Sequence, residues 1–166
     1  FLSTDKVFDG SINSPDEEEL VTPCCLYGQL KYDCEELIKN QIDSYHIFRL
    51  PIVHSLGNLN SSSFIDKSII SVENGDSVSI YSNVERSFLR IDELINLLIA
   101  SIEEINYGTY HIGTKGMSYS DRLIQILDER NIDSNGLVNK SIGNIIPEKQ
   151  HLNTNKTREI LGFEFS

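Results

Sequence analysis

The stretch "LYGQLKYDCEELI", residues 26–38, has the spacing of an amphipathic helix and holds a charge where a core residue belongs. Tyr27, Leu30, Cys34, Leu37 and Ile38 recur at three- and four-residue intervals, which predicts one buried apolar stripe. Asp33, Glu35, Glu36 and Lys39 fall on the face assigned to water. Lys31 lies one turn after Tyr27, on the buried stripe. A buried ammonium is costly unless something stabilises its charge. Beside a phenol it has a use, because a cation favours the phenolate and suits a tyrosine to proton transfer. The residues alone leave two readings open. Either Tyr27 exchanges protons with Lys31 as its electrostatic partner, or Lys31 merely runs its stem past the stripe to water.

Composition narrows the surroundings of this helix. The chain has 166 residues, 39% hydrophobic and 23% charged, enough for one globular domain with a core. A net charge of −11 argues against nucleic acid as a partner, since a phosphate backbone needs a basic surface. The longest apolar run, "LINLLIASI" at 94–102, is well short of the ~20 residues of a membrane span, so no membrane partner is expected. Cys24, Cys25 and Cys34 are odd in number and lack metal spacing, and no metal site is expected. They read as reduced thiols of a cytoplasmic protein. The opening "FLSTD" has the look of a buried parallel strand running into a functional loop, which implies the carboxyl-terminal part of something longer.

Along the chain, strand and helix patterns alternate. After the opening strand comes a turn-rich loop, "DGSINSPDEEEL" (9–20), and then the helix from about Tyr27 to Gln41. "YHIFRLPIV" (45–53) reads as a short buried strand ended by Pro51, and "HSLGNLNSSS" (54–63) as a loop. A helix is expected over "FIDKSIISVENG" (64–75) with Gly75 at its end, and a strand over "SVSIYS" (77–82). "RIDELINLLIASIEEI" (90–105) places Asp92 and Glu93 in a first helical turn, where the dipole favours them. "GTYHIG" (108–113) is a strand between glycines. "SYSDRLIQILDERNI" (118–132) opens on the capping pattern Ser118-x-x-Asp121, and "NKTREILGFEF" (155–165) is a short helix stopped by Gly162. The class is α/β.

The ordered motifs carry a resemblance. Ser3-Thr4-Asp5-x-Val7-Phe8-x-Gly10 at the first strand end, Pro23, and Tyr27-Gly28-x-x-Lys31 follow the pattern of the extended short-chain dehydrogenases/reductases. Within them the chain is most similar to the sugar-nucleotide branch that includes dTDP-4-dehydrorhamnose reductase. Glu35 after the lysine, Arg49 closing the next strand, "ERSFLRIDEL" (85–94), "GTYHIG" and the closing Lys-x-x-x-x-Leu-Gly-Phe continue the likeness in order. The resemblance implies the carboxyl-terminal part of a Rossmann-type doubly wound parallel sheet plus a small substrate-binding α/β lobe. It divides the chain into 1–53 (back half of the dinucleotide-binding domain), 54–88 (substrate-binding segment), 89–113 (helix and strand returning to the main sheet) and 114–166 (substrate-binding lobe and tail).

By the same resemblance Tyr27 would protonate the C4 oxygen of a keto sugar, and Lys31 would hold the nicotinamide ribose, so both contact NAD or NADP. Thr4 would hydrogen-bond the substrate carbonyl, with Ser3 the alternative. Asp5, Val7 and Phe8 would line the substrate site, although Phe8 also reads as core. Arg86 would meet the nucleotide diphosphate, or else is a solvated surface arginine. The implied parent is a nucleotide-sugar reductase acting on a 4-keto-6-deoxy sugar nucleotide, an arrangement compatible with a homodimer. Departures qualify this. Lys6 replaces the glutamate of related 4,6-dehydratases, which sets dehydration aside. Leu30 stands where many members have serine. "ERSFLRIDEL" is closer to the epimerases, which keeps an epimerase open. A non-catalytic NAD(P)-binding regulatory subunit on this scaffold is a further alternative. Among the ten glycines no two are separated by a single residue, so the Gly-x-Gly-x-x-Gly pyrophosphate cradle is not in this chain. The 166 residues alone are therefore expected to be inactive.

Overall fold

A computed structural model describes residues 1–56, 63–103, 106–141 and 149–166. The expected loop at 54–63 lies mostly outside the described residues, as do the last two positions of the helix expected over 90–105. The principal sheet is parallel, ordered β1 (Leu2–Thr4), β2 (His46–Leu50), β7 (Gly108–His111). Helix α1 (Leu26–Gln41) connects β1 to β2, and α3 (Ile91–Ala100) precedes β7. This is the crossover pattern of a Rossmann-type sheet, which places functional loops at the carboxyl ends of its strands.

At Pro51 the chain leaves this sheet. Proline has no N–H for the ladder, and the next three residues, β3 (Ile52–His54), pair instead with β6 (Phe88–Arg90). The strand expected over 45–53 is thus two strands in two sheets. Gly113, at φ +132°, lies at this junction; a Cβ there would come within 2.7 Å of Pro51 Cγ and 3.1 Å of the Phe88 carbonyl oxygen. The second region contains α2 (Phe64–Glu73), β4 (Val78–Tyr81) paired in parallel with β9 (Leu137–Lys140), and α4 (Tyr119–Glu129). Two-residue strands β5 (Glu85–Arg86), β8 (Met117–Ser118) and β10 (Lys149–Gln150) make a small mixed sheet. A π-helical turn, Thr157–Leu161, ends on Gly162 in the left-handed conformation (φ +70°).

Among the described residues the two larger apolar clusters hold these parts together. Ile65, Ile69 and Val72 of α2 face Leu123, Ile126 and Leu127 of α4, with Ile80 and Phe88 between. Phe48, Leu50, Tyr110 and Ile112 pack against Leu94 and Leu97 of α3. Local signals were followed closely here. The Ser118 hydroxyl accepts from Asp121 N at 2.9 Å and caps α4, and Glu93 of α3 reaches back to Arg90 N at 3.2 Å. No helix of the described residues is long and apolar enough to cross a membrane.

Helix α1 overturns its expected orientation. Leu26, Leu30 and Leu37 are 75%, 55% and 58% exposed, Cys34 is exposed, and Ile38 is half-buried. Glu35, assigned to the wet face, is completely buried. The reason lies across the interface. Ser3 and Arg49 offer hydrogen bonds to a carboxylate, and Gly28 lets the helix come so near that a Cβ there would lie 2.0 Å from the Lys6 carbonyl oxygen. A helix turns inward the face its neighbours can pair. Here that face is polar.

Candidate active site

The carboxyl end of β1 carries Thr4, and the chain then turns through a 3-10 turn, Asp5–Val7. Ser3, Thr4 and Asp5 are all buried. Thr4 Oγ1 accepts from Lys6 N at 3.3 Å and donates to Asp5 Oδ1 at 3.2 Å. Burial pushes the Asp5 carboxyl above its ordinary range, opposed by the Lys6 ammonium, the Thr4 hydroxyl and the Arg86 charge. Lys6 Nζ stands 3.7 Å from Asp5 Oδ2 and donates to Gln150 Oε1 at 2.8 Å, while Gln150 Nε2 donates to the Phe8 carbonyl at 2.9 Å. Gln150 belongs to β10, so this chain of contacts ties the small mixed sheet to the strand end.

Tyr27 and Lys31 lie on α1, whose first turn is capped by Cys25: its Sγ accepts from Gly28 N at 3.4 Å. Lys31 Nζ donates to the Leu2 carbonyl at 2.9 Å and stands 5.9 Å from the centre of the Tyr27 ring. Lys31 is half-buried and Tyr27 is 55% exposed, so the phenol is open to a ligand on that side. The helix therefore brings a phenol and an ammonium to the strand that ends in the Thr4 hydroxyl.

The remaining residues singled out by sequence fall in two places. Arg86, on β5, is buried and donates from Nη1 to the Glu85 carbonyl at 2.6 Å. Burial lowers its basicity, and the Tyr119 and Asp5 side chains are its electrostatic neighbours. That places it in reach of the Asp5 side and not on a solvated surface. Phe8 is core: it packs with Val7 and Leu152, and the Arg49 guanidinium lies 5.2 Å from its ring centre.

Sequence reasoning missed two elements of this region. The Lys6–Gln150 contact joins residues 144 positions apart, and no local pattern announces it. The burial of Glu35 did leave a signal. Tyr27, Lys31 and Glu35 are spaced at four residues, which puts them on one face of α1. Among the described residues no group of His, Cys, Asp and Glu is placed to hold a metal ion.

Over residues 1–160 the sequence matches the family model described as the RmlD substrate binding domain. Solved structures extend the likeness at the level of fold. A dTDP-4-dehydrorhamnose reductase from Bacillus anthracis, in complex with NADP, superposes with a TM-score of 0.83 at 23% identity, covering 99% of this chain and 59% of that one. A dTDP-4-dehydrorhamnose reductase from Clostridium acetobutylicum gives 0.80 at 23% identity, covering 97% and 58%. UDP-glucose 4-epimerase from Thermotoga maritima, with UDP-glucose, gives 0.79 at 20% identity, covering 100% and 57%. The chain spans a little under three-fifths of the length of these proteins. No curated protein matches the sequence.

Proposed function

The chain belongs to the RmlD substrate binding domain family, in the sugar-nucleotide branch of the extended short-chain dehydrogenases/reductases, and on that premise we propose that it carries the proton-transfer and substrate-binding residues of an NAD(P)-dependent nucleotide-sugar reductase. The substrate proposed is a 4-keto-6-deoxy sugar nucleotide. The observation that supports this best is the Lys31 contact to the Leu2 carbonyl, which sets a cation and a phenol beside the strand that ends in Thr4.

The roles follow from the donors available. The Tyr27 hydroxyl gives its proton to the C4 oxygen. Thr4 turns its own proton from Asp5 to the same oxygen and orients the carbonyl. Lys31 supplies positive charge beside the phenol and has donors suited to ribose hydroxyls. The donor set thus fits the nicotinamide-ribose end of NAD or NADP, which when bound supplies the hydride. Arg86 is assigned to the diphosphate and Asp5 to the sugar. Phe8 supports the site from the core. The segments 1–53, 54–88, 89–113 and 114–166 retain the roles stated above as part of this proposal, and the 166 residues alone are proposed to turn over no nucleotide sugar, because the pyrophosphate cradle is not among them.

A nucleotide-sugar epimerase is the second reading, favoured by "ERSFLRIDEL" around Arg86. The two differ in stoichiometry: a reductase consumes one NAD(P)H per sugar, whereas an epimerase consumes none. The decisive experiment is Tyr27→Phe in the full-length protein, with Lys31→Met beside it. Loss of a general acid lowers kcat by ~10²–10⁴-fold with nucleotide-sugar binding almost unchanged. Unaltered kcat in Tyr27→Phe removes Tyr27 from the mechanism.

A further inference from the structure

Glu35 is the third member of the Tyr27–Lys31–Glu35 stripe, and proton transfer makes no direct use of it. Its side chain and that of Arg49 are 0% and 1% exposed. Arg49 Nε lies 3.1 and 3.2 Å from the two carboxylate oxygens, and Nη2 donates to Oε2 at 2.7 Å. The Ser3 hydroxyl donates to Oε1 of the same carboxylate. Arg49 Nη1 is 3.2 Å from His111 Nε2. A guanidinium offers only donors, so Nε2 accepts and the ring is neutral with its proton on Nδ1. Burial and the Arg49 charge hold that histidine at a pKa of about 3, consistent with a neutral ring. The network therefore runs from β1 through α1 and β2 to β7.

A buried ion pair of this kind is a weak device for stability, because apolar residues of similar volume often hold a fold as well or better. What a bidentate guanidinium–carboxylate pair supplies is direction. Three contacts between helix α1 and the start of the chain involve backbone or hydrogen-bonding groups. Gly28 abuts the Lys6 backbone, Lys31 bonds the Leu2 carbonyl, and Glu35 takes the Ser3 hydroxyl. Of these three, Glu35 is the one locked through Arg49 to β2 and onward to His111 of β7.

We propose that Glu35, held by Arg49, is a positioning residue that fixes the helix bearing Tyr27 and Lys31 against the strand end bearing Thr4. The proposal rests on the proton-transfer reading above and adds the part that sets its geometry.

The test removes both charges together, so that neither is left buried alone. The double variant Glu35→Leu, Arg49→Met should keep a thermal midpoint near that of the wild type. In the cofactor-free protein, amide exchange at residues 26–31 should quicken by about tenfold or more, because the helix start opens locally. In the full-length enzyme kcat should fall about 10²-fold, as expected for a misplacement near 1 Å, with KM within about threefold. A stable double variant with wild-type exchange at 26–31 and wild-type kcat overturns the proposal. If the double variant does not fold, Ser3→Ala decides, since it deletes one hydroxyl and no charge. Faster exchange at 26–31 with a severalfold lower kcat is then expected, and wild-type values of both overturn the proposal. A wild-type enzyme that turns over no nucleotide sugar would sink the proposed function instead, and the exchange measurement would still decide the clamp.

Discussion

Substituting Gly28 by alanine sets two effects of opposite sign against each other. Alanine in a helix interior is favoured over glycine by roughly 0.5–1 kcal/mol, so an exposed site would gain stability. Gly28 is buried, and a Cβ there would sit 2.0 Å from the Lys6 carbonyl oxygen, where ordinary contact begins at 3.4 Å. Something must yield by about the 1.4 Å between those figures. The obstacle is backbone, so no side-chain rotation can relieve it. Overpacking of this kind costs typically ~1–3 kcal/mol and sometimes more, which exceeds the propensity gain. A net loss of roughly 2 kcal/mol is expected, read as a lower urea midpoint or a Tm lower by about 4–8 °C. Gln29→Ala, one residue along on the exposed face, is the control and should be nearly neutral. The same displacement acts on Tyr27, so under the proposed function kcat of the full-length protein should also fall by about 10²-fold. A Gly28→Ala protein as stable as the wild type, or more so, would refute the close approach of α1 to the strand-end turn.

Two further expectations concern stability. His54 and His111 are held neutral in the fold with pKa values of about 4 and about 3, burial being the main cause and Arg122 or Arg49 the next. Both bind protons more readily when unfolded, near 6.5, so their share of stability is complete above that pH and is lost as the pH falls toward 4 and 3. At its limit the loss is on the order of 3 kcal/mol for His54 and 5 kcal/mol for His111, partly offset by the Asp5 and Glu17 carboxyls that burial raises. Urea midpoints at neutral and mildly acid pH measure it, and a pH-independent midpoint over that interval would contradict the buried neutral histidines. Ser118→Ala deletes the hydroxyl that caps α4, which should cost about 1 kcal/mol in the same assay.

What was legible in the sequence was what a few neighbouring residues decide. The Ser118 cap, the stop at Gly162 and the interruption at Pro51 are each set by local chemistry, and each appears where expected. The orientation of α1 is different, because its partners Ser3 and Arg49 lie 32 and 14 residues from Glu35. Spacing counts apolar residues on a helix face but does not say what stands opposite. The apolar stripe was real and the assumption that it turns inward was mistaken. Strands such as β5, β8 and β10 contain two residues each, too few for any period to show. Motif order singles out Thr4, Tyr27 and Lys31, and the fold brings the helix that bears Tyr27 and Lys31 against the strand that ends in Thr4. The Lys6–Gln150 contact is set by the fold alone.

Pro51 has a consequence for how such a chain can change over time. One continuous run of residues serves two hydrogen-bonding ladders, and the residue between them donates to neither. A shift of pairing in a sheet inverts every side chain along the affected strand, and the inversion spreads as far as the ladder continues. Here it stops at Pro51. Insertions and drift in the region beyond can alter the β3–β6 pairing while Arg49 keeps its register between Ser3 and His111. The region beyond Pro51 is thus free to diverge in its pairing, and the strand that carries Arg49 is insulated from that divergence.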